Sequence, residues 1–289
     1  MKRAAALAVY LGLATAAAAA DPVEPVRVVV TVLPQVEVAE RVGGELVEVM
    51  SLVPPGALPD TFEVTPKQMA RLTDAGLWLR IGIAFEEVLA DRIGSLAPQL
   101  RVVDGFSAMD RRPIDGGDHS GHDHGTLDPH VWLDPDLVAR HAEILADALC
   151  AARPGSCPTF RAGLADYRAE LEAADRRVAA VLDPHWGAPI FVFHPAYGYF
   201  ADRYGLDQVP VEASGKVPTG RRLASLVDRA RAAGAGALFV QPQYAGGAAD
   251  AAAQAMGVAV LELDPLAPDL AANLVRMAEA IARSLEGQP

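Results

Sequence analysis

The chain has 289 residues, of which 37 are acidic and 25 basic, and its formal net charge is −12. An acidic protein of this kind lacks the basic surface that binds nucleic acid phosphates, so we exclude a nucleic acid partner. The length suits one large domain or two ordinary domains.

Residues 1–20 have the features of a secretory signal peptide. Lys2 and Arg3 precede a short apolar run at 4–14, and 18–20 form an A-x-A cleavage pattern. The run is too short for a membrane anchor, and no cysteine lies near the cleavage point to receive a lipid. We predict an exported, soluble, periplasmic mature protein; the alternative is a disordered alanine-rich N-terminus.

Short β-branched runs then alternate with helix-like stretches. In the first half we predict strands at 26–33, 46–53, 77–82 and 100–104, with helices at 34–44 and 65–76. In the second half we predict strands at 188–195, 207–212, 236–242 and 257–265, with helices at 219–234 and 245–257. This alternation is typical of an α/β fold with parallel sheets covered by helices.

A long amphipathic helix is predicted at 158–184, between the two halves. Its apolar residues recur at three- and four-residue steps: Phe160, Leu164, Tyr167, Leu171, Ala174, Val178 and Val181. We therefore predict two lobes, 21–157 and 185–289, each with a four-stranded parallel sheet and joined by one rigid helix. The alternative is a single continuous doubly wound domain.

The two cysteines, Cys150 and Cys157, flank a turn-like stretch just before this helix. In an oxidising compartment we predict that they form a disulfide between two helices. A zinc pair is the alternative, although six intervening residues are not the usual spacing of zinc ligands.

In parallel α/β sheets, ligands bind outside the carboxyl ends of the strands. Four polar residues are predicted to lie there and to face the cleft between the two halves. His194 ends the first strand of the second half and Asp264 ends its last strand, while Asp60 lies in the loop after the second strand. His130 lies just before a helix that Asp134 is expected to cap. Two imidazoles and two carboxylates suit a divalent metal ion. Each residue also has a structural interpretation, such as a turn at Asp264 before a proline.

Five stretches together resemble the periplasmic solute-binding proteins of metal-ion ABC transporters, the ZnuA/TroA-like cluster. They are PPGALPDTFEVTPKQM (54–69), LDPHVWLDP (127–135), FHPAYGYFADRYGL (193–206), ALFVQPQY (237–244) and VLELDPL (260–266). The resemblance covers essentially the whole mature chain. It implies two α/β lobes bridged by the long helix, with one Zn²⁺ or Mn²⁺ held between them and delivered to a membrane permease.

The resemblance implies a ligand for each of the four positions. His130, His194 and Asp264 match the second, third and fourth ligands, and Asp60 stands where the family has its first histidine. Manganese- and iron-binding members usually carry glutamate at the third position, so His194 favours zinc. Asp60 makes the ligand set harder and more negative, which favours manganese or ferrous iron. We keep zinc as the expected ion, because it accepts carboxylate ligands and binds more tightly than manganese at equal geometry.

Other matched positions have smaller expected roles. Glu63 matches a family glutamate beside the first ligand, and we expect it to support a ligand or the fold rather than to bind the ion. Lys216 stands where members often carry an acidic residue. His141 and His185 are expected to be structural.

A histidine-rich loop at 116–127 precedes His130. It holds His119, His122 and His124 among glycines and aspartates. Such a composition is typical of a metal-binding segment without a packed core. We expect an auxiliary site for one weakly bound ion; the alternative is a solvated loop.

The expected function is capture of zinc in the periplasm for import by an ABC permease, without catalysis. We expect a monomer whose partners are that permease and a periplasmic metallochaperone. The alternatives are a manganese or ferrous iron transport protein, an exported zinc hydrolase and a free-standing metal chaperone. The hydrolase is disfavoured because the chain has no H-E-x-x-H motif.

Overall fold

Two parallel four-stranded sheets form the framework of the protein. The computed structural model describes residues 24–106, 109–115, 127–212, 218 and 220–287, so the predicted signal peptide lies outside the described residues. The first half contains β1 (Val26–Val30), α1 (Pro34–Gly43), β2 (Val47–Ser51), α2 (Pro66–Thr73), β3 (Leu77–Arg80), α3 (Ala84–Leu96), β4 (Arg101–Asp104) and α4 (Pro135–Ala152).

The linking helix α5 (Cys157–Leu182) separates this half from the second. The second half contains β5 (Pro189–Val192), α6 (Gly198–Tyr204), β6 (Asp207–Pro210), α7 (Gly220–Ala233), β7 (Ala237–Val240), α8 (Gly247–Met256), β8 (Ala259–Glu262) and α9 (Leu270–Leu285). The predicted fold class is therefore confirmed.

Both sheets have the same topology. The strand order is β2-β1-β3-β4 in the first sheet and β6-β5-β7-β8 in the second, and every pairing is parallel. In each sheet the strand order reverses between the two central strands, β1 and β3 in the first sheet and β5 and β7 in the second, and a crevice opens at their carboxyl ends. The loops that follow β5 and β7 meet at this crevice in the second sheet.

The helix α5 joins the halves through an extended apolar face. Its buried residues are Phe160, Leu164, Tyr167, Leu171, Ala174, Val178 and Leu182, so the predicted stripe ends at Leu182 rather than at Val181. With 26 residues it is about 39 Å long. Gly163 allows α1 to approach closely, because a Cβ atom there would lie 2.6 Å from the Arg41 carbonyl oxygen.

One continuous core extends through both halves. Side chains from β1, α4, α5, β5 and α9 belong to the same buried cluster. Helix α5 packs against α1 and α4 on one side and against α9 on the other. Because a close-packed protein interior transmits displacement rather than absorbing it, the core couples the two halves mechanically.

Three helices, α3, α6 and α9, fall outside the predicted elements, and the strands are one to five residues shorter than predicted. Helix α6 has only seven residues, too few for a clear period. The predicted disulfide is confirmed, since Cys150 and Cys157 are bonded at the junction of α4 and α5. Within the described ranges, none of the helices combines the length and apolar character that crossing a bilayer requires.

Candidate metal centre

A pocket of about 320 Å³, including its open mouth, lies between the two halves at the carboxyl ends of the strands. Three of the four predicted ligands, Asp60, His130 and His194, line it. The other lining residues are Leu58, Pro59, Ile83, Pro129, Trp132, Gln241, Tyr244, Pro265 and Leu266.

His130 is fixed by a neighbouring carboxylate. Its Nδ1 lies 2.6 Å from Oδ1 of Asp128, which also accepts a hydrogen bond from the His130 backbone N–H at 3.0 Å. Asp128 is fully buried. Because an ionised carboxylate can only accept, Nδ1 carries the proton and Nε2 keeps its lone pair for a metal ion.

The backbone around His130 is held in place by the start of α4. Asp134 caps this helix by accepting hydrogen bonds from the N–H groups of Asp136 and Leu137, as predicted. Trp132 donates from its indole Nε1 to the Pro265 carbonyl oxygen at 2.7 Å, which ties this segment to the loop after β8.

His194 lies two residues beyond β5 and is buried in the same way. Its Nδ1 is 3.4 Å from Oε1 of Glu212 and 3.3 Å from the Tyr244 hydroxyl, and the Tyr244 ring stacks on the imidazole with centroids 5.1 Å apart. Burial, and then the carboxylates of Glu212 and Asp60, raise the pKa of Tyr244, so its hydroxyl stays protonated. With Nδ1 facing these partners, Nε2 faces the pocket.

Asp60 approaches His194 from the opposite wall. It lies in the short 3₁₀ turn Pro59–Thr61, and its side chain is 48% exposed. Its Oδ2 lies 3.7 Å from Nε2 of His194. A zinc ion about 2.0–2.1 Å from both atoms would separate them by about 3.4 Å at a tetrahedral angle. The two groups are therefore within a few tenths of an ångström of the spacing that one shared ion requires.

The rings of His130 and His194 lie edge to face with centroids 5.5 Å apart. Among the described residues, no three His, Cys, Asp or Glu side chains already converge closely enough to hold an ion. The pocket therefore contains two oriented imidazoles and a more exposed carboxylate that do not converge on a single point.

Asp264 is placed differently from the other three. It does not line the pocket but a second surface cavity beside α9, together with Asn273 and Arg276. Its Oδ1 accepts a hydrogen bond from the Leu266 N–H at 2.9 Å, the turn that an aspartate before a proline often forms.

The remaining predicted positions lie away from the pocket or outside the described residues. Glu63 is exposed and does not line the pocket. His119, His122, His124 and Lys216 lie outside the described residues.

The other two described histidines have separate surroundings. His141 is buried in α4, where Nδ1 lies 2.9 Å from the Gly105 carbonyl oxygen and Nε2 lies 2.9 Å from Nε2 of Gln35. Burial lowers the pKa of His141 to about 4, although the Gly105 carbonyl opposes the shift. His185 is 3.8 Å from Glu286.

Sequence reasoning missed the residues that orient the two histidines. Asp128 was visible only as part of a motif, and Tyr244 is remote in sequence from His194. Glu212 could have been found from the strand pairing. Val192 of β5 is paired with Pro210 of β6, so His194 and Glu212 both lie two residues beyond a paired position at the same sheet edge.

Comparison with known proteins identifies the family. The model of the family described as zinc-uptake complex component A, periplasmic, matches residues 28–287. The high-affinity zinc uptake system protein ZnuA of Paracoccus denitrificans is 28% identical over 272 residues, covering 82% of each chain. Zinc-binding protein AdcA of Streptococcus pyogenes serotype M1 is 28% identical over 260 residues, which are 83% of this chain and 50% of AdcA. The chain thus spans about half the length of that relative.

A solved structure shows the same arrangement of elements. A crystal structure of ZnuA superposes with a TM-score of 0.84 and 31% identity, covering 91% of this chain and all of that one. The family match covers both sheets, the linking helix and the pocket between them. The chain therefore belongs to the family of periplasmic zinc-uptake components of ABC transporters, as its motifs indicated.

Proposed function

We propose that this protein binds one zinc ion in the periplasm and delivers it to the membrane permease of an ABC importer. The observation that carries the proposal is the pair of buried histidines, His130 and His194, each with a carboxylate beside Nδ1 and each lining one pocket with Asp60. Carboxylate–histidine pairs fix the tautomer and raise the basicity of a metal-binding imidazole.

Asp60, His130 and His194 form the core of the proposed ligand set. Two imidazoles and one carboxylate are ligands that zinc accepts at about 2.0–2.2 Å. Asp264 remains a predicted fourth ligand, because Pro265 and Leu266, which follow it, line the pocket. To bind the ion, its carboxylate must leave the hydrogen bond to the Leu266 N–H. Otherwise water occupies the fourth position.

Zinc is favoured over manganese and ferrous iron for this site. Imidazole nitrogens suit zinc, and at equal geometry zinc binds more tightly than either of the other ions. The related ZnuA and AdcA proteins are named for zinc uptake and zinc binding. The carboxylate at position 60 makes the site harder than a three-histidine site, so manganese is the competitor to test.

Export and partners follow from the same function. We propose that residues 1–20 direct the chain to the periplasm and are then removed, and that the mature protein is a monomer. Its cargo passes to the permease, and a periplasmic metallochaperone is a proposed second partner.

Elemental analysis tests the proposal directly. Protein purified from the periplasm without added metal should carry about one zinc ion per chain, and a variant with both His130→Ala and His194→Ala should carry less than about one tenth of that. Chelator competition should show a higher affinity for zinc than for manganese. A wild-type preparation that carries manganese or iron alone would refute the zinc assignment.

A further inference from the structure

Arg112 lies at the centre of a charged cluster that joins the two halves beside the metal pocket. Its guanidinium group contacts three carboxylates: Oδ1 of Asp115 at 3.0 Å, Oδ2 of Asp202 at 2.8 Å and Oδ2 of Asp128 at 3.4 Å. Asp202 belongs to α6 of the second half, whereas Asp115 and Asp128 precede α4 in the first. One side chain therefore contacts both halves of the molecule.

Asp128 links this cluster to the pocket, because its two oxygen atoms have different partners. Oδ1 accepts hydrogen bonds from the backbone and ring of His130, and Oδ2 faces Arg112. Since Asp128 has no exposed surface, its carboxylate oxygens depend on protein groups rather than on bulk water for hydrogen bonds. Arg112 supplies a positive charge on the side away from the histidine.

The backbone on either side of Asp128 is fixed by the same contacts. The Asp128 N–H donates to the Arg112 carbonyl oxygen at 2.9 Å, and an isolated antiparallel bridge pairs Pro113 with Leu127. The Tyr199 hydroxyl, from α6, donates to the Asp128 carbonyl oxygen at 2.9 Å and accepts from the Arg112 N–H at 3.2 Å.

Gly198, the first residue of α6, makes room for the guanidinium group. A Cβ atom there would lie 1.5 Å from Nη1 of Arg112 and 2.9 Å from Oδ2 of Asp128. Because Nη1 is the far end of a flexible side chain, an alanine at this position would displace Arg112 rather than break the helix.

We propose that Arg112 is a positioning residue for zinc binding, acting through Asp128 on His130. It holds the Asp128 carboxylate in the orientation that His130 contacts, and it makes the orientation of His130 depend on how α6 of the other half packs against Arg112. The inference rests on the proposed function, since it takes His130 as a zinc ligand. Loss of a residue that orients a metal ligand costs about 10–100-fold in metal affinity.

A double-mutant cycle separates this role from a purely structural one. Arg112→Met should weaken zinc binding about 10–100-fold in chelator competition, and Asp128→Asn should do the same. If Arg112 acts through Asp128, the double variant should bind zinc no more than about threefold more weakly than Asp128→Asn alone. The absorption spectrum of bound Co²⁺ should change in both single variants, because the imidazole geometry changes.

Arg111→Met is the matched control. Arg111 is the neighbouring arginine, but its guanidinium group donates to the backbone carbonyl oxygens of Gly82, Leu127 and Asp128 and pairs with no carboxylate in the described contacts. Its loss should change zinc affinity by less than about threefold and leave the Co²⁺ spectrum unchanged, even if stability falls.

Gly198→Ala provides a second route that keeps every charge. It should lower zinc affinity, as Arg112→Met does. Arg112→Lys, which keeps a positive charge, should retain part of the zinc affinity that Arg112→Met loses. If Arg112→Met and Gly198→Ala both bind zinc like the wild type, or if the losses from Arg112→Met and Asp128→Asn simply add, the inference is overturned. A wild-type protein that binds no zinc would instead refute the proposed function.

Discussion

Removal of the Asp60 carboxylate should weaken zinc binding by more than about 100-fold. Loss of a residue that only supports a ligand costs about 10–100-fold, so loss of a ligand should exceed that range. A factor of 100 corresponds to about 2.8 kcal/mol of binding free energy, at about 1.4 kcal/mol per tenfold. The structural basis is the 3.7 Å distance between Oδ2 of Asp60 and Nε2 of His194, which one shared ion can bridge.

The measurement is chelator competition on Asp60→Ala, with Glu63→Ala as the control. Glu63 is an exposed carboxylate three residues further along the same loop, and it does not line the pocket. The control should bind zinc within about threefold of the wild type, because an exposed side chain that does not line the pocket adds little interaction energy with the ion. Equal zinc affinities for Asp60→Ala and the wild type would show that Asp60 is not a ligand, and the geometric argument would fail.

Asp60→His completes the series, because it installs the residue that the family pattern has at this position. An imidazole should keep zinc affinity within about tenfold of the wild type while reducing manganese affinity, since nitrogen ligands favour zinc over manganese. Unchanged relative affinities for the two metals would show that residue 60 does not set the metal preference.

Two further predictions concern histidines, one buried in α4 and one in the pocket. The pKa of His141 is about 4 in the folded protein, below its unfolded value of about 6.5. Between these values only the unfolded chain binds the proton, so the contribution of His141 to the free energy of unfolding of the metal-free protein should fall by about 3 kcal/mol as the pH drops from 6.5 to 4. Urea denaturation should show a flatter pH profile for His141→Gln, and an identical profile would contradict the assignment. Separately, His194→Ala should abolish tight zinc binding, whereas deletion of 118–125 should leave affinity within about threefold and slow uptake from scarce zinc. Equal losses of affinity would show that the histidine-rich loop supplies a ligand of the main site.

The parts of the fold that follow a period or a strand end could be predicted from the sequence. The stripe from Phe160 to Val178 predicted α5 because six apolar residues share one helical face. His194 was found because a parallel strand ends just before it, and ligands bind at that edge of the sheet. These arguments need only local sequence.

Contacts between distant segments could not be predicted in the same way. Asp264 also follows a strand, yet its Oδ1 accepts a hydrogen bond from the Leu266 N–H. Local sequence does not reveal whether such an aspartate binds a metal ion or stabilises a turn. The partners of the two histidines required the strand order and the packing of α6. Arg112 had no signal at all, because its role depends on Asp202 from the other half.

The unequal exposure of the three predicted ligands favours a local mechanism of capture and release. His130 and His194 are buried and each is fixed at Nδ1, so little entropy is lost when they bind an ion. Asp60 lies on a loop with its side chain half exposed, and the continuous core along α5 resists large movements of one half against the other. We therefore expect closing and opening of the site to involve movement of the Asp60 loop more than rotation of the lobes. A permease that displaces this loop would remove one predicted ligand and the adjacent wall of the pocket together, and zinc binding would weaken where transfer has to occur.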